Sequence, residues 1–255
     1  MDNETKLRIV ELYNEGYTTR EVETALTLKR GSARYWLQKQ GVTLRPTKGL
    51  KFHVNKTRVP LEVIQSKIGT PEFDYFLGIL ATDGNICKSK IALQFAENNR
   101  EILEHWREFL EKRVDIKAYT RKRDSRTYYE IKFKNQEIAD FYKSYGITER
   151  KTFTLKLPYI NWNVVLGIFD GDGCLTIEHK TPNSYSWRFS ICSASIDFIN
   201  QLNDFFVEQG FHPITRKIKN YYDLSLGRKL ELEILYANIY KESSYFLHRN
   251  YEKFW

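Results

Sequence analysis

A nine-residue segment occurs twice in the chain, and this repetition limits the possible folds more than any other feature. FLGILATDG at residues 76–84 and VLGIFDGDG at residues 165–173 are identical at five positions. Their aspartates, Asp83 and Asp172, lie 89 residues apart, which is the spacing of half-domains rather than of a short tandem repeat. The sequence therefore predicts two related halves that each begin with the same kind of helix.

Other segments recur in the same order. The strand-like runs IALQFA and RFSICS each precede a helical stretch, NREILEHWREFLEK in one half and SIDFINQLNDFFVEQ in the other. YYEI at residues 128–131 is matched by YYDL at residues 221–224. Each half thus predicts the order helix, two strands, helix, two strands, helix.

The repeated helices carry a small residue in the middle and an acidic residue at the end. Gly78 and Gly167 would let the two helix backbones approach each other closely. If the helices pair side by side, Asp83 and Asp172 meet at the negative ends of two helix dipoles, where the carboxylates repel. A bound Mg²⁺ would remove that conflict, because it prefers oxygen ligands and needs few of them from the protein.

With these motifs the sequence resembles the LAGLIDADG homing endonuclease family, in its single-chain form with two motifs, over residues 70 to 255. The resemblance implies an α+β fold of two pseudo-symmetric αββαββα repeats with saddle-shaped antiparallel sheets. It also implies that both DNA strands are hydrolysed to leave short 3′ overhangs, with Asp83 and Asp172 as catalytic metal ligands for Mg²⁺ (or Mn²⁺). The family motif has a second, earlier aspartate that is not a metal ligand. Asp170 occupies that position in the second half, and Ala81 occupies it in the first half.

The same resemblance suggests residues around the scissile phosphate. The family often has a lysine after the last strand of a repeat, and Lys151 fits that place, whereas Asn250 stands there in the second half. Lys151 is therefore a candidate catalytic residue, with an ordinary surface lysine as the other interpretation. Glu97 and Ser193, at the ends of corresponding strands, are further candidates for contact with the same water molecules.

Basic residues on the strands are candidates for DNA binding, because alternate side chains of a strand share one face and can reach phosphates and base edges. A one-residue slip reverses the face, so the sequence does not decide which of them point to DNA. The candidates are Lys88, Lys90, Arg121, Arg123, Arg126, Lys132 and Lys134 in the first half and Arg188, Arg216, Lys217 and Lys219 in the second.

Residues 1–44 resemble a helix-turn-helix DNA-binding domain. Apolar residues recur at helical spacing with interruptions at Gly16 and near residues 28–31, which predicts three short helices. In the third, Ala33, Trp36 and Leu37 would face inward. The residues expected to contact DNA are Arg30, Ser32, Arg34, Tyr35 and Gln38. A three-helix bundle that binds another protein is the alternative.

The rest of the chain divides into three segments. Residues 45–60 contain two prolines and several Lys and Arg without a clear period, which predicts a basic linker. Residues 61–160 and 161–255 then form the first and second repeat.

Composition agrees with an intracellular protein that binds a polyanion. The net charge is +8, and 42% hydrophobic residues are sufficient for a packed core. Cys87, Cys174 and Cys192 lack zinc-ligand spacing, so we expect reduced, buried side chains. We expect no membrane span, and the charged first residues differ from a signal sequence. Bacterial or phage cytoplasm and an organelle are all compatible with this composition.

Together these patterns predict a monomeric, site-specific double-stranded DNA endonuclease of the homing type, active in intron mobility, with a long and imperfectly symmetric target. A restriction-type E-x-K site at Glu130 and Lys132, with Asp115 or Asp124, is disfavoured because the second half has Asp223 and Ser225 there. A non-cleaving DNA-binding regulator and an RNA maturase on the same scaffold stay open. The presence of both motif aspartates argues against the regulator.

Overall fold

The computed structural model describes residues 2–45, 59–121, 125–181 and 184–254. The chain divides into two compact units, Met1–Lys56 and Thr57–Trp255. Residues 46–58 of the predicted linker lie outside the described residues. Among the residues that are described, no helix is both long and apolar enough to cross a membrane.

Three helices form the N-terminal unit: α1 (Asn3–Asn14), α2 (Thr19–Ala25) and α3 (Ser32–Lys39). The side chain of Asp2 caps α1, and Thr18 caps α2 in a reciprocal arrangement with Glu21. The helices pack around a small core of Ile9, Leu12, Tyr13, Val22, Ala33 and Leu37.

The second unit starts with a short helix, α4 (Leu61–Gln65), and then contains two copies of one arrangement. The first copy comprises α5 (Pro71–Thr82), β1 (Asn85–Cys87), β2 (Lys90–Ala96), a 3-10 turn (Glu97–Asn99), α6 (Arg100–Phe109), β3 (Lys117–Thr120), β4 (Thr127–Lys134) and α7 (Gln136–Ser144). A one-turn helix, α8 (Lys151–Thr154), follows it.

The second copy repeats this order. It comprises α9 (Trp162–Asp172), β5 (Gly173–Thr181), β6 (Ser184–Ser193), α10 (Ile196–Glu208), β7 (Ile214–Ile218), β8 (Tyr221–Leu226) and α11 (Lys229–Ile239). A one-turn helix, α12 (His248–Tyr251), again follows, and a 3-10 turn (Glu252–Phe254) extends it.

Each copy contains a four-stranded antiparallel sheet, in the order β1-β2-β4-β3 and β5-β6-β8-β7. Alternate residues of the inner strands, such as Ile91 and Leu93 on β2 and Phe189 and Ile191 on β6, are buried against helices. The predicted α+β fold of two αββαββα repeats is thereby confirmed.

The three cysteines correct one prediction. All of them are free and exposed, whereas the sequence predicted buried side chains. Their strand neighbours Ile86, Leu175 and Ile191 occupy the core. Because successive side chains of a strand point to opposite faces, each cysteine lies on the face turned away from the helices.

Helices α5 and α9 lie side by side at the centre of the core. All of residues 73–81 on α5 and 163–170 on α9 are buried, which explains why both helices are apolar all around rather than on one stripe. A Cβ atom on Gly78 would overlap the carbonyl oxygen of Val164 and would lie 2.9 Å from the Cα atom of Gly167. The helices therefore touch backbone to backbone at their glycines.

Two buried carboxylates reinforce the helix pair. Asp74 on α5 accepts hydrogen bonds of 2.6 Å from the Tyr159 hydroxyl and the Asn161 amide, at the start of α9. Asp170 on α9 accepts a hydrogen bond of 3.1 Å from the hydroxyl of Tyr75 on α5. Since a buried carboxylate is costly unless it is hydrogen-bonded, these contacts favour this pairing of the two helices.

Gly167→Ala should destabilise the second unit strongly. The added methyl group would overlap the carbonyl oxygen of Tyr75 and lie 3.0 Å from the amide nitrogen of Ile79, so the two backbones must separate. We expect the free energy of unfolding to fall by about 3 kcal/mol in chemical denaturation.

Gly227→Ala is the matched control, because its methyl group would meet only the Trp187 carbonyl oxygen at an ordinary 3.7 Å. Equal stabilities of the two variants would contradict the proposed backbone contact.

Candidate active site

Asp83 and Asp172 meet where α5 and α9 end. Asp172 is the last residue of α9, and Asp83 follows the last residue of α5 directly. A Cβ atom on Gly171 would lie 2.7 Å from Oδ2 of Asp83 and would overlap the hydroxyl of Thr82. The glycine thus allows the two helix ends to approach each other, as the repeated motif predicted.

The charged forms of both carboxyl groups are disfavoured at this place. Burial, followed by the charge of Asp172, raises the pKa of Asp83 to about 6. Burial also raises the pKa of Asp172, although this residue reaches solvent at the surface. Two acidic groups whose ionised forms are disfavoured in one place are typical of a functional site rather than of a stabilising contact.

Lys151 supplies the positive charge next to them. Its ammonium group donates hydrogen bonds of 2.5 Å to the carbonyl oxygens of Ala81 and Thr82, at the end of α5. Burial lowers the pKa of Lys151 to about 8, while Asp83 and Asp172 raise it in part. The half-buried Lys151 therefore lies beside the two aspartates, at the end of α5.

A cavity of about 260 Å³ opens beside these groups. Ala81, Thr82, Lys151 and Asp172 line one part of it, and the end of β6 with the start of β8 lines another. Ser193 reaches the cavity, whereas Glu97 interacts with the hydroxyl of Tyr129. Five further lining residues were not among the predicted site residues: Thr152, Leu155, Cys192, Ala194 and Tyr221. Only the position of Cys192 beside Ser193 pointed to one of them.

The donor set of this site fits a hard divalent cation. Asp83 and Asp172 offer carboxylate oxygens, and no cluster of three or more His, Cys, Asp or Glu residues suited to a metal occurs in the part of the chain that the structure describes. Mg²⁺ keeps several waters and uses substrate phosphates as ligands, so two carboxylates suffice for it. A cation would also offset the burial and the neighbouring charge of Asp172 that raise the pKa of Asp83.

The second half has no counterpart of Lys151. Asn250, at the corresponding place on α12, is buried, and its amide donates a hydrogen bond of 3.0 Å to Asp170. Asp170 also accepts a 2.7 Å hydrogen bond from the backbone of Leu247, and burial raises its pKa to about 7. The site is thus asymmetric, with one lysine for two aspartates.

Basic candidates of the first sheet share its open face. Across β2 and β4, Lys90 pairs with Lys134, and Ala92 pairs with Lys132. These positions lie on the face opposite to the buried one, which carries Ile131. Arg121 is exposed and stacks its guanidinium on the ring of Tyr128. Lys88 lies in the β1–β2 turn and Arg126 next to β4, whereas Arg123 is outside the described residues.

The basic candidates for DNA binding in the second sheet lie on different faces. Arg188 forms an ion pair with Asp223, and Arg216 pairs with Asp223 across β7 and β8, so both lie on the open face. Lys217 faces the other way, with its ammonium 5.8 Å from the ring centre of Tyr222. Lys219 lies in the β7–β8 turn. Because neighbouring strand residues cannot share a face, Arg216 and Lys217 cannot both point to one DNA surface.

The candidates of the N-terminal unit fall on or near its surface. Arg30, Arg34, Tyr35 and Gln38 are exposed, and Ser32 is half-buried in the first turn of α3. The inward positions predicted for Ala33 and Leu37 are fully buried.

The alternative E-x-K site does not assemble. Glu130 and Lys132 form an ion pair of 3.6 Å, but within the described ranges no further acidic residues join them in a metal-binding group. Asp124 lies outside those ranges.

Asp83→Asn should stabilise the folded chain near neutral pH. A carboxyl group whose folded pKa of about 6 exceeds its ordinary 3.8 destabilises the fold when it is ionised, so this cost is present above pH 6 and disappears as the pH falls toward 3.8. In EDTA at pH 7.5, thermal unfolding should show a gain on the order of 2 kcal/mol over the parent chain.

At pH 4 this gain should be small. The exposed Asp204 provides the control, because Asp204→Asn should leave stability unchanged at both pH values. A gain for Asp83→Asn that does not depend on pH would contradict the raised pKa.

Comparison with known proteins agrees with this geometry. Residues 70–146 match the model of the LAGLIDADG-like domain family. Similar solved structures include the LAGLIDADG meganuclease I-AabMI bound to uncleaved DNA, with 10% identity and a TM-score of 0.52 over 72% of this chain and 87% of that chain. I-SmaMI bound to uncleaveable DNA has 11% identity and a TM-score of 0.54, over 72% and 87%.

A third structure, the I-LtrWI LAGLIDADG homing endonuclease bound to target DNA, has 15% identity and a TM-score of 0.51 over 76% of this chain and 89% of that chain. No curated protein sequence matches the chain. At such identities the structural likeness establishes the fold, and the domain match establishes the motif. The chain therefore carries a LAGLIDADG-like domain, and its two repeats have the fold of the LAGLIDADG homing endonucleases.

Proposed function

We propose that this chain is a site-specific, divalent-metal-dependent endonuclease that hydrolyses both strands of double-stranded DNA. The observation that carries the proposal is the meeting of Asp83 and Asp172 at the ends of two packed helices, with the pKa of both carboxyl groups raised. A chain that only bound DNA would gain nothing from this arrangement, because it destabilises the fold.

Double-stranded DNA is the partner that the surface favours. Lys90, Lys132 and Lys134 on the first sheet and Arg216 on the second lie on the open faces of the sheets. I-AabMI, I-SmaMI and I-LtrWI, whose structures are similar, were solved with DNA bound. The two open faces differ in their residues, so we expect one monomer to bind a long target whose halves are related but not identical.

Asp83 and Asp172 would hold the metal, which we propose to be Mg²⁺ or Mn²⁺. When bound, the cation would supply Lewis-acid stabilisation of the charge that develops on the phosphate and would favour ionisation of a water molecule. The two carboxylates, of which that of Asp172 lines the cavity, are the ligand type that hard ions such as Mg²⁺ and Mn²⁺ prefer.

The reaction is the displacement of a 3′ oxygen from phosphorus by water. A new bond forms between water oxygen and phosphorus, and the bond from phosphorus to the 3′ oxygen breaks. The attacking water gives up a proton to solvent, and the leaving 3′ oxygen takes up a proton to become a hydroxyl group. Lys151 holds positive charge at the edge of the cavity, where its ammonium group can stabilise the more negative transition state. Its pKa of about 8 lets the ammonium form persist at neutral pH.

Intron homing follows as the proposed biological role. A single cut at a long target would occur rarely in a genome, and the broken ends would invite copying of the gene that encodes the enzyme. As in the sequence analysis, a maturase that binds RNA is the second candidate, but no observation favours it over the endonuclease.

Asp83→Asn and Asp172→Asn should each abolish cleavage and leave DNA binding intact. Each removes one carboxylate from the proposed metal site but preserves the shape of the side chain. Cleavage is measured by incubation with a genomic DNA pool and Mg²⁺, followed by sequencing of all new ends, and binding by retention of the same DNA in EDTA.

Asp204→Asn, which changes an exposed carboxylate, should cut like the parent chain. Recurrent ends with short 3′ overhangs in the parent and in this control, and in neither site variant, are the expected result. Full cutting by either site variant would refute the assignment, and DNA retention without any cutting by the parent would favour the regulator.

Lys151→Met should slow cleavage about 100-fold with little change in DNA affinity, since the lysine acts on the transition state more than on bound DNA. Lys156→Met, at an exposed lysine of the same segment, is the control. Single-turnover rates across pH 6–9 would measure the effect. If the parent chain and Lys151→Met cleave DNA at equal rates and with the same pH profile, the role of Lys151 is purely structural.

A further inference from the structure

The N-terminal unit lies outside the LAGLIDADG-like domain and carries a surface that the endonuclease site does not explain. Its charges are separated along the sequence. All of its acidic residues precede Thr24, whereas eight Lys or Arg and no acidic residue occur from Thr24 to Lys56. One part of this unit is therefore basic, and α3 lies in that part.

Helix α3 is fixed firmly to the helix before it. Gly31 begins α3 with a φ of +89° and offers no side chain to cap the helix. The nearly buried carboxylate of Glu23, on α2, accepts hydrogen bonds from the backbone N–H groups of Gly31 and Ala33, at 2.8 and 3.2 Å. A carboxylate from α2 thus replaces the missing cap and sets the angle between the two helices.

The outer side of α3 carries long polar side chains in one row. Arg34 and Gln38 are four residues apart and share one face of α3, Arg30 directly precedes Gly31 at the start of this helix, and all three are exposed. Within the described part of the chain, neither arginine forms an ion pair with an acidic side chain. Beside them Lys39 packs its ammonium 5.0 Å from the ring centre of Trp36.

This row matches the chemistry of a DNA groove better than that of an acidic protein surface. Arginine and glutamine form paired hydrogen bonds with guanine and adenine edges, and both arginines can also bind phosphates. A helix is about 10–12 Å wide and fits the major groove, which is about 12 Å wide. The same chain carries the proposed DNA-binding sheets, so DNA held by one unit is present at high local concentration for the other.

We infer that the N-terminal unit is a second double-stranded DNA-binding module, in which α3 enters the major groove and Arg30, Arg34 and Gln38 contact the DNA. The endonuclease site does not require this module, since the two repeats carry both aspartates. The module would extend the target beyond the segment that the two sheets contact.

A photocrosslinking experiment tests the contact directly with the full-length chain. The photoreactive amino acid p-benzoylphenylalanine is introduced as Gln38→p-benzoylphenylalanine on α3 and, as a control, as Glu11→p-benzoylphenylalanine at an exposed position of α1. Each chain is mixed with random-sequence 60-bp duplexes in EDTA, so that metal-dependent cutting does not interfere, and is then irradiated.

Position 38 should crosslink to the duplex at least about tenfold more than position 11, and an acidic polypeptide such as polyglutamate should compete poorly. Crosslinking at position 38 that does not exceed that at position 11 would overturn the inference. Because no cleavage is measured, this outcome is separate from any failure of the proposed endonuclease.

A pair of charge-matched variants measures the energetic contribution. Arg34→Gln should weaken binding to the duplexes about tenfold and make it less dependent on salt, by the loss of one DNA contact. Arg8→Gln, which removes another exposed arginine that pairs with Glu11 and Glu15 on α1, should change affinity less than twofold.

Arg30→Gln provides a second variant of the same row, and thermal unfolding checks that each chain is folded. If Arg30→Gln and Arg34→Gln both bind DNA like Arg8→Gln, α3 does not contact DNA and the inference is wrong.

Discussion

Contact between the backbones of α5 and α9 is the interaction on which the remaining architecture depends. Gly78 and Gly167 have no side chains to hold the helices apart, and Gly171 continues the close contact up to Thr82. Each sheet starts directly after its helix, β1 at Asn85 and β5 at Gly173. The same contact therefore fixes the positions of both sheets and both aspartates, and hydrophobic burial along the pair offsets the repulsion between Asp83 and Asp172.

Much of this arrangement could be predicted from the sequence because the chain repeats itself. One motif with a central glycine and a terminal aspartate defines both helices, and its second occurrence implies a symmetric pairing. The alternating strands and the inward residues of α3 follow from periodicity alone. These predictions succeed because each depends on residues that are close together in the sequence or that are copied between the repeats.

The remaining features depend on distant or face-specific contacts. Asp74 finds its partners Tyr159 and Asn161 more than 80 residues later, and no local pattern indicates that choice. The exposed cysteines and the orientation of Lys217 depend on strand register, in which one residue reverses the face. Lys151 could be proposed only by resemblance; its bonds to the carbonyl oxygens at the end of α5 follow from the tertiary fold.

Asp170 has a consequence for the order of events during synthesis of the chain. Two of its three hydrogen-bond donors, the backbone of Leu247 and the amide of Asn250, are translated 77 and 80 residues after it. Until they leave the ribosome, the carboxylate on α9 cannot be buried without a large cost, so the helix pair closes late. The hydrogen bonds that bury Asp170 beside the acidic site can therefore form only after the segment that follows α11 has been made.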